Sequence, residues 1–310
     1  MRAIGQDGFG GPEVLTVVEV PRPEPGPAEV LVRVHAAGVN PTDAWHRAGG
    51  GLGGRIVRLG WDVSGVVEAV GPGVTLFAPG DEVFGMPRLP QPAGAYADYL
   101  VSPARHLTRK PARLSHVQAA GLPLVALTAW QALVDTAGVR PGQRVLIHAA
   151  AGGVGHVAVQ IAKALGTEVI GTARTEKHDF VRALGADSVV DYTRVDFASA
   201  VSDVDVVIDT IGGEYGPRSL RTLRPGGLVV SLASPAEAAL AGPARALGVR
   251  ATFMIVEADQ GGMREIARLV ESGQLRVEID RVLPLDQAAR AHELVEAGRT
   301  RGKIVLNVAG

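Results

Sequence analysis

Cysteine is absent from all 310 residues, which excludes disulfides, thiolate zinc sites, iron–sulfur clusters and a cysteine nucleophile together. No stretch reaches the roughly eighteen uninterrupted apolar residues that a membrane span needs, and the opening MRAIGQDGFGGPEVL lacks the apolar core of a secretory signal. A soluble, cytoplasmic protein with no membrane partner is expected. A dominant charge is missing as well: 31 basic residues face 32 acidic ones for a formal net charge of −1, and no basic block could neutralise a row of phosphates. No nucleic-acid partner is expected.

What is present is ordinary globular material, 46% hydrophobic and 20% charged, with 40 glycines and 20 prolines dispersed between apolar runs. The length points to two domains, each able to bury a core. Residues 1–120 read as short strands broken by Gly and Pro: LTVVEVP, EVLVRVHAAGV, VSGVVEAVG, DEVFGM and AYADYLV. From 121 to 273 the pattern becomes strands alternating with helices, RVLIHAA, EVIGTA, DVDVVIDTIGG, LVVSLA and RATFMIV being the strands, GPRSLRTLRPGG one of the helical stretches and GMREIARLVESG the last. Such alternation implies an α/β fold with a parallel sheet and crossover helices. Residues 274–310, a strand, a short helix over 286–298 and the closing strand KIVLNV, are too few for a domain and are expected to rejoin the β-rich N-terminal part.

The segment RVLIHAAAGGVGHVAVQIAKALG sets a buried strand, a small-residue turn and an amphipathic helix in succession, with Ala150, Gly152 and Gly155 at the three glycine positions of the dinucleotide fingerprint. A side chain at Gly152 would hold a pyrophosphate off the backbone, and one at Gly155 would push the helix off the strand. The N–H groups of Ala151, Gly152, Gly153, Val154 and Gly155, at the positive end of that helix, then bind the anion. About twenty residues on, an NAD-preferring site puts an acid on the ribose hydroxyls. Here the chain reads Thr172, Ala173, Arg174, followed by Thr175 and Lys177. Two cations and a hydroxyl suit a 2′-phosphate, so NADPH is the expected cofactor.

At this point the chain resembles a known family. LPLVALTAWQALVDTAGVRPGQRVLIHAAAGGVGHVAVQIAKALG is similar to the zinc-independent, zeta-crystallin-like quinone oxidoreductases of the medium-chain dehydrogenase/reductase superfamily, as are GFGGPEVL, PEPGPAEVLVRVHAAGVNPTD, GWDVSGVVEAVG, FAPGDEVFG, FVRALGADSVVDY, DVVIDTIGG and RGKIVLNV. The resemblance implies a GroES-like β-rich catalytic domain, a Rossmann domain with a doubly wound parallel sheet, and an active-site cleft between them walled by loops such as 45–60 and 234–248. It implies Asn40 beside the nicotinamide ribose and substrate, and Thr128 near the ring. Tyr192 would join Arg174 and Lys177 around the 2′-phosphate. Thr210, Ala233, Phe253 and Val256 would line the adenosine and nicotinamide ribose path, with Lys303 closing the far side.

Zinc-dependent relatives carry a cysteine in a GVCHTD-like segment and a histidine in a GHE-like segment, where this chain has Asn40 and Trp61. Their four-cysteine lobe is replaced by MPRLPQPAG. No metal is expected, and without a Lewis acid the site suits acceptors that stabilise negative charge by conjugation, quinones and activated enones. The protein then contributes orientation and a polar contact to the developing oxyanion, for which Asn40 is the candidate. Trp45 stands where many relatives have a tyrosine, and an indole N–H cannot act as a general acid. His46, beside Asp43 in sequence, reads as a surface histidine. Competing readings are an enoyl reductase for a thioester-bound substrate and a non-catalytic cofactor-binding protein. RATFMIV at the sheet edge predicts a symmetric homodimer.

Overall fold

The alternating and apolar runs of the N-terminal part become seven strands: β1 (Arg2–Gly5), β2 (Thr16–Glu19), β3 (Glu29–Val39), β4 (Val63–Val70), β5 (Glu82–Gly85), β6 (Tyr99–Pro103) and β7 (Leu107–Arg109). They come from a computed structural model that describes residues 1–51, 58–89 and 91–309; residues 52–57 of the expected cleft loop 45–60, and residue 90 of MPRLPQPAG, lie outside the described residues. The chain forms two units, one of Met1–Leu127, Glu257–Ser272 and Val277–Gly310, the other of Thr128–Val256 and Gly273–Arg276.

In the second unit six strands follow: β8 (Arg144–Ile147), β9 (Glu168–Thr172), β10 (Ser188–Val190), β11 (Val204–Asp209), β12 (Leu223–Ser231) and β13 (Arg250–Phe253). All pair in parallel, in the order β10-β9-β8-β11-β12-β13. The order reverses between β8 and β11, so the carboxyl ends of those strands open a crevice, the usual ligand position in such sheets. Leu146, Ile170, Val207 and Val229 from four neighbouring strands meet Phe197 and Leu220 in one buried cluster. These strands read as apolar runs rather than alternating ones because helices cover both faces. One expectation fails here: GPRSLRTLRPGG is helical only over Tyr215–Leu220, and β12 begins at Leu223. The Pro225-Gly226-Gly227 run cannot extend a helix, and β12 carries it as an irregular lead-in, exposed at Pro225 and Gly226, before Leu228 regains register with Val206.

The chain then returns to the first unit with β14 (Ile279–Pro284) and β15 (Lys303–Asn307). β15 pairs antiparallel with β3, Ile304 opposite Val39 and Val305 opposite Gly38, in a sheet ordered β14-β15-β3-β4-β5-β7 with β6 also on β3. The helix Gln260–Glu271, expected as the last piece of the Rossmann part, belongs to this unit instead. Gln260 donates to the Leu107 carbonyl, and Arg113 donates to those of Val270 and Glu271. Together the two units are a GroES-like β domain and a Rossmann α/β domain.

Candidate functional site

In the first unit the site begins at the end of β3. Asn40 is extended (φ −131°, ψ 156°) and starts the short helix Pro41–Arg47, and its backbone N–H donates to Asp43 Oδ2 at 2.8 Å. The Asn40 side chain is 1% exposed. Its Nδ2 donates to Asp62 Oδ2 at 2.8 Å, while its Oδ1 accepts from the Lys303 ammonium. Lys303 Nζ also donates to the Val39 carbonyl at 3.0 Å and pairs with Asp62 Oδ2 at 3.2 Å. Asp62 Oδ1 accepts from Leu124 N at 2.6 Å. Gly38 makes room for this carboxylate, since a Cβ there would stand 2.6 Å from Asp62 Oδ2. Lys303, expected on the cofactor path, is thus 2% exposed beneath Asn40 and orients its amide.

Asp43, fully buried, also accepts from Gly60 N at 2.9 Å. Burial pushes its carboxyl up to about 7, reinforced by the Asp62 carboxylate and opposed by the two backbone N–H groups and Lys303. Gly60 adopts φ +96°, where a Cβ would fall 2.6 Å from the Tyr96 ring. His46 corrects an expectation: it is 5% exposed rather than on the surface. Its Nδ1 lies 2.7 Å from the Thr42 carbonyl, its ring packs 4.7 Å from that of Trp61, and burial lowers its pKa. A helix of seven residues cannot show which face is covered, and Trp61 comes from another segment. Trp61 is buried with Nε1 donating to Gln91 O at 2.8 Å. Trp45 stands out at 53% exposure, edge-on to His46.

In the second unit β8 ends at Ile147, and the turn passes through Ala149 at φ +46° into the helix Gly153–Ala164. Ala149 is held there because its N–H donates to Thr172 Oγ1 at 3.2 Å and its carbonyl accepts from Gly152 N at 2.8 Å. A Cβ on Gly155 would collide with the Ala149 carbonyl and stand 2.7 Å from Ala150 Cα, so only glycine lets helix and strand approach this closely. A Cβ on Gly152 would meet nothing nearer than that carbonyl at 3.1 Å, which leaves its outer side as backbone for a ligand to approach. This cradle, with the first N–H groups of a twelve-residue helix, fits a dinucleotide pyrophosphate. Thr172 is fully buried and serves the turn, while Thr210 Oγ1 donates to the His148 carbonyl at 3.1 Å. His148, buried between Thr172 and Ser219, is held neutral with its pKa lowered to about 3 by burial.

Beyond β9, Arg174 is exposed, and its Nε donates to the Tyr192 hydroxyl at 3.3 Å. That bond raises the guanidinium pKa further. Lys177 ends the turn Thr175–Lys177 that follows. The Thr175 hydroxyl, expected to face the phosphate, donates to Asp191 Oδ2, as does Thr175 N at 2.9 Å. Asp191 was missed in the sequence, although Asp-Tyr-Thr carries a signal: an Asp that accepts from the N–H two residues on forms an Asx turn, here Thr193 N at 2.9 Å. Along the expected ribose path Ala233 is exposed, Phe253 half-buried and Val256 buried. Thr128 is 6% exposed in the helix Pro123–Trp130. Among the described residues no group of three His, Asp or Glu is placed to hold a metal, and no helix is long and apolar enough to cross a membrane.

The chain is similar to known proteins. The family described as Alcohol dehydrogenase GroES-like domain matches residues 26–112, and that described as Zinc-binding dehydrogenase matches residues 184–306. A 2-haloacrylate reductase from a Burkholderia species is 38% identical, covering 96% of this chain and 96% of its own. The solved structure of the quinone oxidoreductase from Coxiella burnetii has a TM-score of 0.95 at 39% identity over 99% of both chains. The Escherichia coli quinone oxidoreductase complexed with NADPH has a TM-score of 0.88 at 30% identity over 99% of this chain and 100% of that one.

Proposed function

Because the chain belongs to the quinone oxidoreductase branch of the medium-chain dehydrogenase/reductase superfamily and is an oxidoreductase, we propose that it uses NADPH to reduce a quinone or activated enone without zinc. The observation that carries the reading is the Arg174–Tyr192 pair at the end of β9, beside a carboxylate, Asp191, already filled by protein donors. A guanidinium and a phenol side by side suit a 2′-phosphate, and Asp191, whose oxygens already accept from Thr175 and Thr193, is not free to take ribose hydroxyls. Ala151, Gly152, Gly153, Val154 and Gly155 would cradle the pyrophosphate. Thr128, Thr210, Ala233, Phe253 and Val256 would line the rest of the nucleotide path.

When bound, the cofactor supplies a hydride from its nicotinamide ring. The chain's own part is to orient the acceptor and to meet the charge that develops on its oxygen. Asn40 has its Oδ1 and one N–H engaged by Lys303 and Asp62, so the amide is fixed with its second N–H as the donor offered to that oxygen. Trp45, exposed on the same helix, offers an indole N–H and packing surface but no titratable proton. Zinc independence follows from the residues at the ligand positions: Asn40 and the buried Trp61 are not ligands zinc selects. The likeness to a 2-haloacrylate reductase favours a conjugated C=C bond among the acceptors. A homodimer pairing β13 edges in the cytoplasm completes the reading, with light scattering at micromolar concentration as its check.

The deciding assay mixes the purified protein with NADPH or NADH and a panel of quinones and enones, and follows the nicotinamide absorbance. NADPH should be consumed with on the order of a hundredfold preference in binding, two charge-assisted contacts contributing about tenfold each. Arg174→Asp should weaken NADPH and leave NADH unchanged or improved. Equal use of both cofactors by the wild-type protein refutes NADPH, and stoichiometric zinc lost together with activity on dialysis refutes zinc independence.

A further inference from the structure

Asp191, directly before Tyr192, has both carboxylate oxygens satisfied by protein donors. Its Oδ2 accepts from Thr175 N at 2.9 Å and from the Thr175 hydroxyl; its Oδ1 accepts from Thr193 N at 2.9 Å and Thr193 Oγ1 at 2.6 Å. The side chain is 9% exposed, and Arg194 Nε lies 3.7 Å from it. These donors hold the carboxyl far below the usual carboxylate range. Thr175 directly follows Arg174 at the end of β9, and Tyr192 directly follows Asp191 at the end of β10. Two adjacent links therefore join the two strand ends, Asp191 to Thr175 and Tyr192 to Arg174, one residue out of step with Ala173 N donating to Val190 O at 3.1 Å.

We propose that Asp191 is a specificity-determining positioning residue: it clamps the turn after β9 to the turn after β10, so that the Arg174 guanidinium and the Tyr192 hydroxyl present themselves together to a 2′-phosphate. The inference rests on the NADPH reading above. It takes no part in phosphate binding directly, because a carboxylate can only repel that group. Two effects of removing it therefore have opposite signs. Loss of a negative charge beside the phosphate tightens NADPH by Coulomb attraction. Loss of the clamp lets Arg174 and Tyr192 separate and weakens it. Arg174 is solvent-exposed, where charge effects are screened, while a misplaced donor loses its contact outright, so the clamp decides the sign.

The test measures binding of NADPH and NADH to the full chain by titration calorimetry, for wild type, Asp191→Asn, Asp191→Ala and Thr193→Ala. Asp191→Ala should raise the NADPH dissociation constant about tenfold, the share of one charge-assisted contact, with NADH changed less than about twofold. Thr193→Ala, which removes one hydroxyl donor, should move NADPH the same way by less. In an Arg174→Ala background Asp191→Ala should cost NADPH less than it does in the wild type, because part of its effect runs through Arg174. Tighter or unchanged NADPH binding overturns the proposal, as does a parallel loss of both cofactors, which marks a general scaffold. If Asp191→Ala does not fold, Thr193→Ala decides alone. A wild-type protein indifferent to the 2′-phosphate overturns the NADPH reading itself, whereas wild-type preference retained in all three variants overturns only the clamp.

Discussion

Around Asn40 the charges of Asp43, Asp62 and Lys303 are all buried, drawn from three distant parts of the chain and closed on one another by hydrogen bonds. Around Arg174 the guanidinium faces water, its partners come from neighbouring turns, and the Asp191 carboxylate supplies the order. The first arrangement is costly to disturb, because removing one partner strands another charge in a medium that solvates it poorly. The second is easily tuned, because solvent screens each charge and a lost contact changes affinity more than stability. An amide held still belongs with the first; on the proposed NADPH reading, a surface that distinguishes two nucleotides belongs with the second.

The sharpest way to break that contrast is Lys303→Met. It removes the ammonium that faces Asn40 Oδ1, Val39 O and Asp62 while keeping a chain of similar length. Urea unfolding should show a loss of about 3–5 kcal/mol. Adding Asp62→Asn should recover part of it, since the stranded carboxylate is then gone. A loss under about 1 kcal/mol, the size of a surface pair, would show that the cluster is not held as a buried one.

Next in size is the pH dependence carried by Asp43. Its folded carboxyl is raised from the ordinary 3.8 to about 7, so the folded protein holds a proton that the unfolded chain has released. The stability it contributes is fully present below about pH 4 and is lost as pH rises through about 7, by about 1.4 kcal/mol per pH unit between those limits. Buried histidines such as His148, lowered to about 3, and His292, lowered to about 4, titrate with the opposite sign. Subtracting an Asp43→Asn variant cancels them. The difference, wild type minus variant, should fall from pH 4.5 to 7 and level off above. A flat difference means that Asp43 is ionised throughout.

The two regions also differ in how far the sequence announces them. The glycine turn is legible because its parts are consecutive: strand, Ala150-Ala151-Gly152, and helix follow in one segment, and Gly155 has a local steric reason. Arg174 and Lys177 stand out for the same cause, at a fixed distance from that turn, and whether they meet a phosphate is what the NADPH titration tests. The return of KIVLNV to the N-terminal sheet is readable from the shortness of the C-terminal piece. The Asn40 cluster is not, because residues 43, 62 and 303 meet only through the pairing of β15 with β3 and β3 with β4. His46 is misread for that reason too, its cover being Trp61. Asp191 sits inside a recognised motif, yet its partner Thr175 looks like a phosphate ligand until the geometry turns the hydroxyl away.

Gly155→Ala and Gly152→Ala separate folding from binding within the second unit. At Gly155 the new methyl collides with backbone, and a loss of about 1–3 kcal/mol in unfolding free energy is expected, the range of an overpacked core. At Gly152 the methyl has 3.1 Å to the Ala149 carbonyl and φ is −82°, so stability should change by less than about 1 kcal/mol. Nucleotide binding, by calorimetry, should nevertheless weaken strongly in Gly152→Ala, whose Cβ stands where the pyrophosphate would approach. Equal stability of the two variants would mean that the helix yields readily, and normal binding by Gly152→Ala would move the anion elsewhere.

The smallest expected effect compares the two cations. Arg174 presents a planar fork already aligned by the Tyr192 hydroxyl, whereas Lys177 carries a point charge on a flexible stem at the end of the Thr175–Lys177 turn. A fork loses little freedom when it grips a phosphate; an ammonium makes a contact that has no preferred direction. Lys177→Ala should therefore raise the NADPH dissociation constant by less than about tenfold, and by less than Arg174→Ala does, with NADH unaffected by either. Added salt should widen the ratio of the two losses, because the ammonium's share is Coulombic and screened while the fork's is partly directional hydrogen bonding. Should Lys177→Ala cost more than Arg174→Ala at physiological salt, the phosphate lies nearer the turn than the strand end, and the Arg174–Tyr192 pair is a surface contact rather than its seat.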